Sequence, residues 1–279
     1  MTVTLAIDVG ATNARVAIVD TIHGRVEPKA TMLITRRTSH ELLVDCRRLA
    51  GEVLGDLRPG VAGVSVCETV TVDGEITSHS TLDWTKDAVE AAFADLAPVT
   101  IESDVVAAGL AEHHFGIAQG LPSFLMVNVG SGVSSSLLLD GKPWRGQHGA
   151  ALLIGEEPIG AERLGSGKAI AARAGLPDGA SVLRAAEQGD QQCAEICDSG
   201  ATAVGQAIGF AINLLDPAAV IVSGGVVRQS RRFRDVLVDT ALAAVGRVEG
   251  RSTPIQFSNL GDDSALLGVA LSAQRAVSA

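Results

Sequence analysis

At 279 residues and 47% hydrophobic content, the chain can bury one large core or two lobes, which excludes disorder as its default state. A net charge of −10 argues against a nucleic-acid partner, because neutralising phosphates needs clustered Lys and Arg, and the one basic cluster, Arg228 with Arg231, Arg232 and Arg234, reads as a solvated helix face. No apolar stretch reaches membrane-spanning length and the four cysteines (Cys46, Cys67, Cys193, Cys197) follow no secreted-scaffold spacing, so the expectation is a cytoplasmic protein with reduced core thiols and no membrane partner.

Val3, Leu5 and Ile7 alternate with polar or small residues up to Asp8, and after the turn Gly10-Ala11-Thr12 the stretch 15–19 resumes in extended style. This predicts a strand-turn-strand opening. A turn at Thr21-Ile22-His23-Gly24 and a third strand over 32–35 follow. Apolar residues at 42, 43, 46, 49, 53, 54 and 57 have helical spacing, and 62–66 reads as a strand. Trp84 precedes a helix over 87–96. Residues 99–101 lead to Ser103-Asp104, which open an alanine-rich helix over 105–114, so Asp104 sits where a strand hands over to a helix. The runs 124–129 and 133–139 flank Gly130-Ser131-Gly132 as a second glycine-centred hairpin that mirrors the first. Downstream, a long helical pattern stops at Asp216-Pro217, and the buried strand 219–222 runs into Ser223-Gly224-Gly225. A helix over 231–245, a strand at 255–257 and an apolar helix over 264–273 complete an α/β order of two similar lobes.

Four constellations can carry chemistry. In Asp8-Val9-Gly10-Ala11-Thr12-Asn13, a turn without bulky side chains lets backbone N–H groups approach a phosphate, Thr12 can donate its hydroxyl, and Asp8 can hold hydrated Mg²⁺; the alternative is an ordinary hairpin with a polar turn. Gly130-Ser131-Gly132 is weak alone, and its value comes from pairing with the first turn, since two such loops can clamp a triphosphate. Ser223-Gly224-Gly225, after a buried strand, lets a nucleotide base or ribose lie close to backbone. Asp104 is either a helix cap or the carboxylate that accepts the proton of an attacking hydroxyl.

In these residues the chain resembles the repressor, ORF and kinase (ROK) family of sugar kinases over nearly its whole length. The likeness runs through Asp8-Val9-Gly10-Ala11-Thr12, Trp84, Ser103-Asp104 with 107–112, Val129-Gly130-Ser131-Gly132-Val133, and Asp140-Gly141-Lys142 with Arg145-Gly146. It continues in Glu162 with Ser166-Gly167, Leu215-Asp216-Pro217 and Val222-Ser223-Gly224-Gly225-Val226. The resemblance implies an actin-like, ribonuclease-H-like fold with ATP and Mg²⁺ in an interlobe cleft, Asp104 as catalytic base, Glu162 on the sugar hydroxyls, and a homodimer. The lobes are expected at 1–108, completed by a C-terminal helix 262–279, and at 109–261.

Departures from the family pattern are as informative. Its zinc-binding histidine and cysteine-rich loop have no counterpart between Gly155-Glu156 and Ile159-Gly160-Ala161-Glu162, so no zinc is expected. Aligned without gaps, Glu156 falls on the usual histidine; with a small insertion, Gly155-Glu156 becomes the sugar-binding Gly-Glu pair. Either way Glu156 joins the substrate set. Cys67-Glu68 replaces the common Pro-Gly, and Ser103 replaces the Asn before the base. Glu68 is thus either a contact for a substrate amino group or hydroxyl, or a solvated loop residue.

The expected activity is ATP-dependent phosphorylation of a hydroxyl on a sugar, aminosugar or cyclitol other than plain glucose. Glu68, Ser103, Asp104, Glu156 and Glu162 form the substrate set, and Asp8, Gly10, Thr12, Asn13, Gly130, Ser131, Gly132, Gly224 and Gly225 the nucleotide set. The alternatives are a catalytically degraded sugar sensor or scaffold and another actin-like kinase; Asp8 to Arg15 also resembles the bacterial glucokinase branch. Regulators of the family carry a helix-turn-helix of several dozen residues ahead of the hairpin, which here begins within the first ten positions, so the enzyme is the expected reading.

Overall fold

The structure, a computed structural model, describes residues 3–34, 38–156 and 159–278. The chain divides into two compact units: Met1–Gln119 with Gly141–Ala151 and Asp262–Ala279, and Gly120–Asp140 with Leu152–Gly261.

The first unit opens with β1 (Thr4–Val9), β2 (Asn13–Asp20), β3 (Arg25–Leu33), α1 (Ser39–Leu54), β4 (Val61–Val66), α2 (Lys86–Phe93), β5 (Val99–Ser103) and α3 (Asp104–Phe115). The second begins with the hairpin β6 (Ser123–Val129) and β7 (Val133–Leu139). After the short β8 (Lys142–Trp144) of the first unit come α4 (Ala161–Gly165), α5 (Gly167–Ala174), α6 (Gly179–Glu187), α7 (Gln191–Leu215), β9 (Ala219–Ser223), α8 (Gly225–Gln229), α9 (Arg231–Ala244) and β10 (Ile255–Phe257). The last helix, α10 (Ser264–Ser278), belongs to the first unit.

The same strand arrangement is built twice. In the first unit the order is β3-β2-β1-β4-β5, with β1 antiparallel to β2 and parallel to β4, and β4 parallel to β5. In the second, β7-β6-β9-β10 repeats it: β6 is antiparallel to β7 and parallel to β9, and β9 is parallel to β10. All six residues of β1 and of β4 are buried, as expected for inner strands covered on both faces. Local signals set the connecting helices: α1 starts in a capping box in which the Thr38 Oγ accepts from Glu41 N–H at 3.2 Å and Glu41 Oε2 accepts from Thr38 N–H at 2.8 Å. α7 stops where Asp216 adopts φ 45° ahead of Pro217.

α10 packs on α3 and β4 through two glycines. A Cβ on Gly63 would lie 2.5 Å from the Val269 carbonyl oxygen, and one on Gly268 would collide with the Ala107 carbonyl. Ile7, Leu42, Val64, Trp84 and Phe93 centre one core, and Leu125, Ile170, Ile208, Val222 and Phe233 the other.

The third strand differs from the expectation over 32–35. β3 spans Arg25–Leu33, Ile34 lies beyond it, and Thr35 falls outside the described residues. Its polar residues and Pro28 hide it from an apolar-alternation reading, but they suit the edge position it holds. Among the described residues no helix is long and apolar enough to cross a membrane.

Candidate active site

In the first unit the chemistry gathers at the C-terminal ends of the parallel strands, where open α/β sheets bind ligands. Asp8 on β1 pairs in register with Ser65 on β4, which pairs with Glu102 on β5. The Ser65 hydroxyl donates to Asp8 Oδ1 at 2.7 Å. Arg15, opposite Asp8 on β2, donates to Oδ2 at 3.2 Å and lies 3.7 Å from Asp262. Burial pushes the Asp8 carboxyl above its ordinary range, against the opposing pull of Ser65 and Arg15. Beside it, Gly10 N–H donates to the Asn13 carbonyl at 3.0 Å and closes the first glycine turn, with Thr12 exposed at its tip.

Asp104 is the first residue of α3, directly after the last residue of β5. Its Oδ1 accepts from the N–H of Val105 at 2.6 Å, while the preceding Ser103 occupies the N-cap position without a side-chain capping bond. Burial, then the negative charge of Asp8, pushes the Asp104 carboxyl up to about 7, with Glu68 adding to the rise and the Val105 N–H opposing it. A carboxylate poised near neutrality is suited to accept a proton from a hydroxyl.

Glu68 is 3% exposed and its carboxylate is fully engaged. Oε1 accepts from the backbone N–H groups of Thr81 (2.6 Å) and Leu82 (2.8 Å). Oε2 accepts from Ser78 Oγ (2.5 Å), Ser80 N–H (3.1 Å) and Ser80 Oγ (3.0 Å). Burial raises its pKa, and these hydrogen bonds more than reverse that, leaving it below the usual glutamate range. A solvated loop residue this is not. Glu102, 1% exposed, forms a bidentate pair with Arg145 at 2.7 and 2.6 Å and also accepts from Ser103 N–H at 2.9 Å.

In the second unit, Gly130 N–H donates to the Gly132 carbonyl at 2.9 Å to close the other glycine turn. Gly167 N–H and Lys168 N–H, at the start of α5, reach the carbonyls of Gly130 (2.7 Å) and Ser131 (3.2 Å). Glu162 on α4 accepts from Val133 N–H, so its carboxylate lies against this turn. Glu156 is exposed on a 3₁₀ turn over Ile154–Glu156, which hangs from β7 through Ile154 N–H to Ser135 Oγ at 3.4 Å. Ser223, at the end of β9, donates to Asn128 Oδ1 at 3.2 Å. Behind Ser223-Gly224 opens a cavity of about 170 Å³ lined by Val227, Arg228, Arg234, Phe257 and Asn259. Arg234 lies 5.1 Å from the Phe257 ring centroid and its guanidinium donates to the carbonyls of Val227 and Arg228. In the four-arginine cluster Arg228, Arg231 and Arg232 are exposed, as a solvated face requires, and Arg232 pairs with Asp198 at 2.5 Å, whereas Arg234 is partly buried; Arg228 and Arg234 also line the cavity.

The glycines give a test of fit for nucleotide phosphates. Gly10, Gly130, Gly132 and Gly225 all have negative φ, and a Cβ at each would meet no protein atom closer than 3.4 Å. The fold itself does not require glycine there, and the space a side chain would fill suits an approaching ligand. Gly224 is the opposite case: with φ 107° and the Val129 carbonyl pressed against it, it is demanded by the backbone. Among the described residues no group of three or more His, Cys, Asp or Glu side chains is arranged to hold a metal. Asp8 alone fits a Mg²⁺ that keeps most of its water, since each of its oxygens is engaged by one donor and retains a lone pair.

Sequence reasoning missed Arg15, Ser65 and the Glu102–Arg145 pair. Counting back from the first turn pairs residue 9 with 14 and residue 8 with 15, so Arg15 was recoverable; Ser65 and Arg145 meet their partners only through tertiary structure.

The doubled sheet pattern, with a glycine turn between the first two strands of each copy, is the two-lobed actin-like ATPase fold. A model of the ROK family matches residues 4–276, and the chain belongs to that family. It is 25% identical to a glucokinase of Streptomyces coelicolor over 97% of both chains. It is 24% identical to the N-acetylglucosamine repressor of Escherichia coli O6:H1 over 60% of this chain and 48% of that one. The chain spans 62% and 48% of the length of the first curated relatives it matches. Among solved structures, a ROK family glucokinase from Streptomyces griseus in complex with glucose and AMPPNP superposes with a TM-score of 0.86, covering 98% of this chain and 99% of that one at 23% identity.

Proposed function

We propose that the chain is an ATP-dependent carbohydrate kinase whose acceptor is a sugar, aminosugar or cyclitol other than plain glucose. The observation that carries this reading is Asp104: it stands at the end of a parallel strand, beside Asp8, with its carboxyl held at about 7. Membership of a family that contains a glucokinase supports it.

In the proposed reaction Asp104 orients the acceptor hydroxyl and takes its proton as the hydroxyl oxygen bonds to the γ-phosphorus and the bond to the β,γ-bridging oxygen breaks, releasing ADP. ATP is the phosphoryl donor; Mg²⁺ bound with it would supply countercharge to the phosphate oxygens, and Asp8 is the residue that would hold it. The glycine turns 10–13 and 130–132 leave room for phosphate, and Gly225 for the nucleoside, with Gly224 holding the backbone turn before it. Ser103, Glu156 and Glu162 are assigned to the acceptor. In support, Glu162 accepts from Val133 N–H next to the second turn, and the 3₁₀ turn that carries Glu156 is tied to Ser135 of β7. Ser103 is fixed by the Glu102–Arg145 pair.

The test is ADP release from Mg·ATP against glucose, fructose, N-acetylmannosamine, aminohexoses and C7-cyclitols, with Asp104→Asn as control. Turnover of one of the non-glucose acceptors that disappears in the variant supports the proposal. Turnover that survives in Asp104→Asn sinks the assignment of the base, and glucose as the best acceptor sinks the substrate class.

A further inference from the structure

Glu68 stands where the sequence placed a substrate contact, and its surroundings give it another task. The segment after β4 leaves the sheet, pairs Val70 with Ile76, and returns toward α2. Its two ends are tied down without Glu68. Thr77 N–H donates to the Thr69 carbonyl at 2.9 Å and Thr69 N–H to Ser78 Oγ at 2.8 Å. At the far end, Asp83 N–H reaches Ser39 Oγ at 2.9 Å and Trp84 Nε1 the Ser39 carbonyl at 2.7 Å.

Between these anchors the strap 78–82 has consecutive backbone donors at Ser80, Thr81 and Leu82, and all three point to the Glu68 carboxylate. The hydroxyls of Ser78 and Ser80 complete five donors on two oxygens. A carboxylate offers about four lone-pair sites, so this one has no vacancy for a ligand. The strap borders Asp104: β4 ends with Val66 paired to Ser103, the residue before Asp104, so Cys67 leaves the sheet next to it, and Thr81 hydrogen-bonds the Cys67 thiol.

Granted the kinase reading above, we infer that Glu68 is a positioning residue that folds the strap 78–82 into a wall of the acceptor site beside Cys67 and Asp104. The acceptor meets the strap and not the carboxylate, and the group it presents there is an uncharged hydroxyl, not an ammonium. An ammonium would need an anionic oxygen with a free lone pair, and both Glu68 oxygens are fully engaged by the strap. On this inference Glu68 serves otherwise than as the expected substrate contact and gives no preference for an amino-bearing acceptor.

The experiment is Glu68→Gln, read in two ways. An amide keeps one acceptor oxygen and turns an NH₂ group toward donors, so strap amides lose their partners. Hydrogen exchange at Ser80, Thr81 and Leu82 should speed up by about tenfold or more while β1 and β4 amides keep their protection. In turnover assays, KM for the acceptor should rise about tenfold, far more than kcat falls, with KM for Mg·ATP unchanged, and hydroxyl- and amino-bearing acceptors should be affected alike. Ser80→Ala, which removes one donor and leaves the charge in place, should shift acceptor KM in the same direction by less, and serves if Glu68→Gln does not fold.

Unchanged exchange at the strap would overturn the inference. So would a KM increase confined to amino-bearing acceptors, because that is the signature of direct contact. A wild-type chain that phosphorylates no acceptor would count against the kinase reading and not against the clamp, which the exchange measurement decides by itself.

Discussion

Arg145 and Glu102 meet in a two-pronged ion pair, Nη1 to Oε1 at 2.7 Å and Nη2 to Oε2 at 2.6 Å, two residues ahead of Asp104 and from 43 positions away in the chain. Glu102 is buried, so removing only the arginine strands a charge. Arg145→Ala should destabilise the first unit by about 3 kcal/mol or more, seen as an earlier midpoint in urea. Adding Glu102→Gln to that variant should recover part of the loss, because the amide carries no charge to leave unpaired.

The Asp104 carboxyl, at about 7 in the free chain, should impose an acidic limb on kcat/KM. Activity is expected to fall about tenfold per pH unit below 7, as the base gains a proton, and to level off above it. Asp104→Asn should lower kcat by about 10²- to 10⁴-fold with acceptor KM little changed. Initial rates between pH 5.5 and 8.5 check both.

The same carboxyl makes a stability prediction of opposite sense. The folded chain keeps the Asp104 proton up to about pH 7, while the unfolded chain releases it near 4, so the folded state binds more protons between these values. Its contribution to stability is present below pH 4, is lost as pH rises toward 7, and does not change above. Asp104→Asn has no such loss, so relative to wild type it should gain on the order of 2 to 4 kcal/mol between pH 4 and 8. Urea midpoints at pH 5 and pH 8 test this; a gap between the two proteins that does not widen with pH would refute it.

Four of the nucleotide-set glycines should separate stability from binding. Gly10→Ala and Gly132→Ala meet no crowding and no positive φ, so melting temperatures should move by about 2 °C or less while KM for Mg·ATP rises. Gly225→Ala should behave the same way. Gly224→Ala forces a side chain into φ 107° and onto the Val129 carbonyl, and should cost stability by about 2 kcal/mol or more, read by thermal unfolding.

Much of this architecture was legible because its signals are local. The hairpins around Gly10-Ala11-Thr12 and Gly130-Ser131-Gly132, the strand-to-helix junction at Asp104 and the stop of α7 at Asp216-Pro217 each rest on a few neighbouring residues whose backbone preferences agree. Of β3 only the C-terminal end was legible, because an edge strand has no need of an apolar face along its length. α4, α5 and α6 leave no clear sequence signal for a different reason: they are short helices of five, eight and nine residues, too brief for periodicity to stand out.

By itself, the sequence determined the two repeated strand-turn-strand openings, the position of Asp104 and the family, because each of these is written in contiguous residues and their order. Only the tertiary structure decided the surroundings of the carboxylates. Glu68 and Asp104 are both acids near the end of a strand, and their different environments set them apart. Glu68 is surrounded by donors from a returning strap that keep it charged, whereas burial beside Asp8 holds Asp104 near neutrality. The charge state of a carboxyl is fixed by its desolvation and by neighbours brought in from distant chain positions, and a linear sequence does not record that environment.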